Sequence, residues 1–153
     1  IELKMYMVFK IIMTSLKRKR YTEKYLEIAD VWSKLSYAKR KKVGCIIVKD
    51  SIIISDGYNG TPTGFDNECE DALGKTKWYV IHAEANAILK LARSNNSANG
   101  STMYITLSPC KECAKLILQS GIKEVCYAEE YKDKDGIDFL NESGIKCERI
   151  SKE

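Results

Sequence analysis

Two short segments of the sequence decide the fold. Ile81-His82-Ala83-Glu84-Ala85-Asn86-Ala87-Ile88 begins an alanine-rich and leucine-rich run that predicts a buried helix. Ser108-Pro109-Cys110-Lys111-Glu112-Cys113 follows about two dozen residues later. Ser108 is a good helix N-cap and Pro109 suits a first turn, so a second helix is predicted there, ending near Gly121. We therefore expect two helix starts to face one another.

These two helix starts carry the side chains of a metal site. His82, Cys110 and Cys113 offer one nitrogen and two sulfur ligands, and Cys110 and Cys113 are one helical turn apart at the positive end of the helix dipole. Three protein ligands are typical of catalytic zinc, which leaves its fourth position for water. Glu84 is too close to His82 along the helix for one metal to bind both, but its carboxylate is near enough to reach a metal-bound water. The pattern predicts a hydrolytic Zn²⁺ site with Glu84 as its catalytic acid and base.

Simpler interpretations of the same residues exist. A lone histidine is more often a core residue than a ligand, and a C-x-x-C pair also occurs as a redox dithiol or as half of a zinc ribbon. A ribbon needs a second ligand pair, which this sequence does not obviously offer. Glu84 is also a favourable acid for a first helical turn, and only mutation separates that role from catalysis.

The remaining elements predict an α/β fold. Apolar residues form a helical stripe from Tyr21 to Leu35, and Val43 to Val48 with Ile52 to Ile54 suggest a β-hairpin. Glycine and proline mark 57–64 as a loop. Further predicted elements are a strand at 102–107, a strand at 124–128, a short helix at 137–142 and a strand at 145–150. Alternating strands and helices then imply a three-layer α/β/α domain around a mixed five-stranded sheet.

Charge divides the chain at residue 20. The net charge is +4, and six of the first twenty residues are basic while one is acidic, which gives this stretch +5 and leaves the rest at −1. We expect residues 1–20 to be a basic N-terminal arm and 21–153 to be the folded domain. Lys17-Arg18-Lys19-Arg20 is more typical of a solvated arm than of a nucleic-acid contact. No run is apolar enough to span a membrane, and no secretion signal is evident.

Six cysteines do not require disulfides in a chain of this size. Cys45, Cys126 and Cys147 lie in apolar, strand-like segments, where a thiol packs as a small hydrophobic group. Two metal-binding thiolates favour a reducing compartment, and we expect a cytoplasmic location. Cys69 has no assigned role and is interpreted as a loop thiol.

Four motifs resemble the deoxycytidylate deaminase family across about residues 22–150. They are Val43-Gly44-Cys45-Ile46-Ile47-Val48, Gly57-Tyr58-Asn59-Gly60-Thr61-Pro62, the His82-Ala83-Glu84 segment and Pro109-Cys110-Lys111-Glu112-Cys113. H-x-E with P-C-x-x-C is the signature of zinc nucleobase deaminases in general. The G-Y-N-G-x-P loop narrows the resemblance to the deoxycytidylate enzymes. It implies hydrolysis of dCMP to dUMP, a homo-oligomer that is often a hexamer, and regulation by dCTP as activator and dTTP as inhibitor.

The resemblance also implies substrate contacts. Asn59 is expected to contact the sugar or base, and Tyr131-Lys132 to supply a ring that packs on the base and a phosphate ligand. Ala83 is expected beside the substrate as well. Helical steps of four, seven and eleven from His82 reach Asn86, Leu89 and Arg93, so Asn86 and Arg93 share its face, and Arg93 suits a phosphate or simply the helix C-terminus. A second, structural zinc found in many members is expected to be missing, because 65–79 holds only Cys69.

Two other functions fit parts of the sequence. A base deaminase acting on tRNA or single-stranded DNA would use the basic arm, but the nearly neutral remainder of the chain and its modest aromatic content, 9%, argue against it. A non-catalytic, zinc-stabilised binding module is the other alternative. The presence of Glu84 argues against that view, because a purely structural metal does not require it.

Overall fold

The computed structural model describes residues 1–151 and contains four helices and five strands within that range. In chain order the elements are α1 (Glu2–Ser33), β1 (Gly44–Lys49), β2 (Ile52–Tyr58), α2 (Ala83–Ala92), β3 (Thr102–Leu107), α3 (Lys111–Gln119), β4 (Glu124–Glu129), α4 (Asp135–Glu142) and β5 (Lys146–Arg149).

The five strands form one mixed sheet in the order β2-β1-β3-β4-β5. β1 is antiparallel to both β2 and β3, whereas β3, β4 and β5 run parallel. The helices α3 and α4 make the crossovers between the parallel strands, as expected for such connections. The prediction of a mixed five-stranded sheet is confirmed.

Alternate residues of the strands build two cores. Ile46, Tyr104 and Cys126 pack against α1 on one face of the sheet. Their strand neighbours face the other way and pack against α2, α3 and α4. Helices therefore cover both faces, which confirms the predicted three layers.

The sheet brings three loops to one edge. Because β1 is antiparallel to β3, the start of β1 lies beside the end of β3, and β4 ends there too. Segments 37–43, 108–110 and 130–134 therefore meet at this edge. Ligands commonly bind where parallel strands end in sheets of this kind.

The helix predicted at 21–35 is longer than expected. α1 begins at Glu2, so its start does not coincide with the division at residue 20, and side chains 1–20 are all exposed. The division into an arm and a domain remains a prediction, and the domain's last two residues, 152 and 153, lie outside the described range.

The loop predicted at 57–64 begins too early. β2 continues through Gly57 and Tyr58, because Gly57 is needed inside the strand where the backbone of α2 comes close. A Cβ on Gly57 would lie 2.3 Å from the carbonyl oxygen of Ala83. The glycine marks a close backbone approach instead of a turn.

All six cysteines are free, as expected. Cys45 and Cys126 are buried in strands, whereas Cys69 is buried within a loop. Among residues 1–151, no helix combines the length and the apolar character needed to cross a membrane.

Candidate metal and active site

The three predicted metal ligands lie at the starts of α2 and α3. His82 is the N-cap of α2, Cys110 is the N-cap of α3, and Cys113 lies in the first turn of α3. The prediction that Ser108 caps α3 is wrong, because the N-cap is Cys110. Its hydroxyl oxygen accepts a hydrogen bond from the backbone N–H of Tyr131 at 2.7 Å and so ties the segment after β4 to the metal loop.

The ligand atoms have the spacing of a zinc site. Nδ1 of His82 lies 3.5 Å from Sγ of Cys110 and 3.4 Å from Sγ of Cys113. Tetrahedral zinc, with Zn–S of about 2.3 Å and Zn–N of about 2.0–2.1 Å, separates a nitrogen ligand from a sulfur ligand by about 3.5 Å. All three ligand atoms lie within 4.8 Å of one another. The two nitrogen–sulfur distances therefore match those expected around one zinc ion.

A second cluster, formed by Glu124, Cys126 and Glu148, also has its ligand atoms within 4.8 Å. Its carboxylates already have cationic partners. Arg18 pairs with Glu124 and contacts Glu148, and Nζ of Lys146 lies 3.2 Å from Glu148. These cations satisfy the charge that a metal would otherwise balance.

Glu84 is buried beside the three ligands. Its side chain is only 4% exposed, and burial raises the pKa of its carboxyl to about 7, with the neighbouring Cys110 sulfur acting in the same direction. A carboxyl in such a position both accepts and donates protons near neutrality. Its position agrees with the predicted catalytic role.

The thiol of Cys110 is strongly acidic. The hydrogen bond from Cys113, followed by that from His82, lowers the pKa of Cys110 to about 3. In turn the hydrogen bond to Cys110 raises the pKa of His82. Cys110 thus favours the thiolate, the form in which cysteine binds metal.

A cavity of about 250 Å³ opens onto the ligands at the sheet edge. His82, Glu84 and Cys110 form part of its wall. Three of the predicted substrate contacts, Asn59, Ala83 and Tyr131, line it as well. The cavity therefore brings together two of the three metal ligands and half of the predicted contacts.

The other three predicted contacts do not line this cavity. Asn86 faces β2, where its Nδ2 donates to the carbonyl oxygen of Tyr58 at 2.8 Å. Arg93 is an exposed residue at the C-cap of α2, and Lys132 is exposed next to Tyr131. Their roles in substrate binding remain predictions.

Asn59 is held in place by the segment before β1. Its Oδ1 accepts from the N–H of Val43 at 2.8 Å, and its Nδ2 donates to the carbonyl oxygen of Lys41 at 2.9 Å. One amide hydrogen and one oxygen lone pair stay available for a ligand. The asparagine thus shapes the cavity wall in addition to facing it.

Sequence reasoning assigned no role to three charged residues of the cavity. Arg40 and Lys41 line it, and so does Glu70, which is only 8% exposed. Arg40 and Lys41 belong to a run of four basic residues, 39–42, which a solvated turn explains as well as attraction of phosphate does. Glu70 gave no signal, because its contacts are with residues thirty positions away.

Comparison with known proteins identifies the family. Residues 19–129 match the model of the cytidine and deoxycytidylate deaminase zinc-binding region. The chain belongs to this zinc-dependent deaminase family. The family match covers all three metal ligands and Glu84.

Three members of this deaminase family are similar to the chain in sequence or in structure. Deoxycytidylate deaminase of Enterobacteria phage T4 is 38% identical over 170 residues, which span 83% of this chain and 88% of the relative. The human deoxycytidylate deaminase is 36% identical over 124 residues, 75% of this chain and 68% of the relative. The crystal structure of dCMP deaminase from cyanophage S-TIM5 in complex with dCMP and dUMP is 45% identical, with a TM-score of 0.84, covering 86% of this chain and 97% of that one.

Proposed function

We propose that this protein hydrolyses dCMP to dUMP and ammonia in a zinc-dependent reaction. The observation that carries the proposal is a single cavity lined by two of three clustered metal ligands, His82 and Cys110, by the buried carboxyl of Glu84 and by two cationic side chains, Arg40 and Lys41. The first two features suit deamination of a base, and the cations suit a substrate that carries phosphate. The deoxycytidylate deaminases among the relatives support the same substrate.

In the proposed mechanism, His82, Cys110 and Cys113 hold the zinc ion. A zinc ion bound there supplies Lewis-acid activation of water. Glu84 accepts the proton of the attacking water and delivers it to N3 of the cytosine. As the water oxygen bonds to C4, a hydroxyl forms there, and Glu84 takes its remaining proton. Glu84 passes this second proton to the amino group, the bond between C4 and nitrogen breaks, and cytosine and water become uracil and ammonia. Burial of Glu84 keeps bulk water away from this transfer.

The substrate contacts in the proposal follow the cavity wall. The half-buried Tyr131 packs against the base, and Asn59 and Ala83 face the base and sugar. Arg40 faces the 5′-phosphate, and Lys41, whose Nζ also pairs with Glu129 at 2.5 Å, lines the same cavity. Lys132, Asn86 and Arg93 are proposed as further contacts, for a bound nucleotide or across a subunit boundary. Regulation by dCTP and dTTP and assembly into a homo-oligomer are proposed on the family resemblance. A cytoplasmic location is proposed because metal-binding thiolates favour a reducing compartment.

The decisive experiment is a substrate panel. Purified protein with its zinc quantified is given dCMP, CMP, dCTP, deoxycytidine and a short cytosine oligonucleotide, with and without dCTP and dTTP. We expect dCMP to be preferred, with about one zinc per chain. Deamination of the oligonucleotide with indifference to dCMP would favour the nucleic-acid alternative, and inactivity on every substrate would favour a binding module.

A further inference from the structure

Residues 70–76 form a compact turn on the wall of the cavity. Glu70 and Thr76 pair as an isolated antiparallel bridge. Between them, Oδ1 of Asp71 accepts from the backbone N–H groups of Leu73 and Lys75, both at 2.9 Å. Gly74 has φ of +73°, which closes the turn. The turn therefore holds Glu70 and Thr76 in a fixed relation.

The side chain of Glu70 is engaged by the segment that precedes β1. Its Oε1 accepts from the N–H of Lys39 at 2.9 Å and from the N–H of Arg40 at 3.1 Å. Residues 37–43 contain no helix or strand, so regular secondary structure does not fix their backbone. A buried carboxylate that accepts two backbone N–H groups is a strong local anchor.

Thr76 contacts the guanidinium of Arg40, whose backbone N–H is bound by Glu70. Its Oγ1 accepts from Nη1 of Arg40 at 3.2 Å. The two residues of one β-bridge thus hold both the backbone and the guanidinium of Arg40. Arg40 lines the same cavity as His82 and Glu84. The hydrogen bonds from Arg40 to Glu70 and Thr76 therefore fix the position of its positive charge relative to the metal site.

We propose that Glu70 is a positioning residue for substrate phosphate, acting through Arg40. This inference rests on the proposed function. A guanidinium makes paired hydrogen bonds to phosphate only when its plane is correctly directed, so its orientation matters more than its charge alone. Glu70 supplies that orientation through the backbone, and Thr76 supports it through the side chain. Glu70 itself does not touch the reacting atoms.

The test compares two substrates that differ only in phosphate. Steady-state constants for dCMP and deoxycytidine are measured on zinc-quantified wild type, Glu70→Ala, Glu70→Gln and Arg40→Ala. We expect Glu70→Ala to raise KM for dCMP about tenfold, the usual scale for a charge-assisted hydrogen bond, with kcat nearly unchanged. KM and kcat for deoxycytidine should stay near wild type. Glu70→Gln retains an acceptor oxygen and should recover most of the loss.

Two controls separate this role from a structural one. Glu68→Ala removes an exposed carboxylate two residues before Glu70 and should leave all constants unchanged. The double variant Glu70→Ala with Arg40→Ala should be no worse on dCMP than Arg40→Ala alone, because both changes remove one interaction.

Three results would overturn the inference. They are an unchanged KM for dCMP in Glu70→Ala, an equal loss on dCMP and deoxycytidine, and full additivity in the double variant. A wild-type enzyme that does not prefer dCMP to deoxycytidine would overturn the proposed function itself, together with this inference. The wild-type measurement therefore separates the two failures.

Discussion

At the scale of single residues, two first-turn acids have different surroundings. Glu84 in α2 and Glu112 in α3 occupy corresponding positions near a helix N-terminus. Glu112 is exposed and paired with Lys115 at 2.6 Å, whereas Glu84 is buried against the metal ligands. The favourable interaction with the helix dipole is common to both. Burial next to Cys110 is specific to Glu84.

We predict that Glu84→Gln retains zinc and loses turnover by about 10²–10⁴-fold, the range for removal of a general acid and base. The amide keeps the volume of the side chain but cannot carry the proton. Zinc content and kcat on dCMP measure the two effects separately. Glu112→Gln is the matched control and should keep full activity. A Glu84→Gln enzyme with near-normal kcat would remove Glu84 from the mechanism.

The residues of the site were predictable to different degrees. His82, Glu84, Cys110 and Cys113 form a local pattern whose chemistry is evident from spacing. Tyr131 required the family resemblance, since only the fold carries it to the cavity. Glu70 was not predictable, because the hydrogen bonds that explain it join segments that are distant in sequence. Long-range contacts are the part of a site that spacing does not encode.

At the scale of elements, close backbone packing positions the metal loop. A Cβ on Gly136, in the first turn of α4, would lie 2.3 Å from the carbonyl oxygen of Pro109 and 2.8 Å from the carbonyl carbon of Cys110. The start of α4 therefore rests directly on the backbone that presents one zinc ligand. Glycine is required here by space, since its φ is not in the left-handed region.

We predict that Gly136→Ala weakens zinc binding about 10–100-fold, the scale seen when support for a metal ligand is lost. Alanine is more favourable than glycine within a helix by roughly 1 kcal/mol, so helix propensity alone predicts that the substitution stabilises α4. The added Cβ would instead displace the backbone of Cys110, which predicts weaker zinc binding. Competition with a zinc chelator gives the affinity, and Glu142→Ala, an exposed change in the same helix, is the control. Unchanged zinc affinity in Gly136→Ala would show that the loop adapts freely.

Two elements were predicted with nearly correct boundaries. The strand at 102–107 matches β3, and the helix after His82 matches α2. The start of α1 was wrong because residues 3–16 have apolar side chains all around the helix, with no stripe to mark a buried face. Gly57 was misinterpreted because glycine serves both turns and close packing. Local patterns do not distinguish these cases.

At the scale of the whole molecule, the first half of α1 stands apart from the body. Side chains 1–16 are exposed, and the first long-range ion pairs of the helix come from Arg18, which contacts Glu124 and Glu148. The buried residues of α1 begin at Thr22. Folding energy from α1 is therefore concentrated in its second half.

We predict that deleting residues 1–16 changes the free energy of unfolding by no more than about 0.5 kcal/mol, as for surface changes without buried contacts. Zinc content and activity should also be preserved, because the site lies at a sheet edge built by later segments. Denaturant unfolding with matched zinc measures the change. Leu26→Ala, which truncates a buried side chain in the second half of α1, should cost about 2–5 kcal/mol in comparison. A large loss on deletion would mean that the exposed half supports the fold.

The two edge strands of the sheet, β2 and β5, differ in length and in charge. β5 has four residues, three of them charged, and a short, charged edge strand disfavours pairing with a strand of another molecule. β2 has seven residues and carries exposed Ile52 and Ile53 at its start. Under heat or at high concentration, intermolecular strand pairing should therefore begin at the hairpin side. Ile53→Lys should therefore improve the solubility of this protein without changing a residue of the metal site or of the cavity.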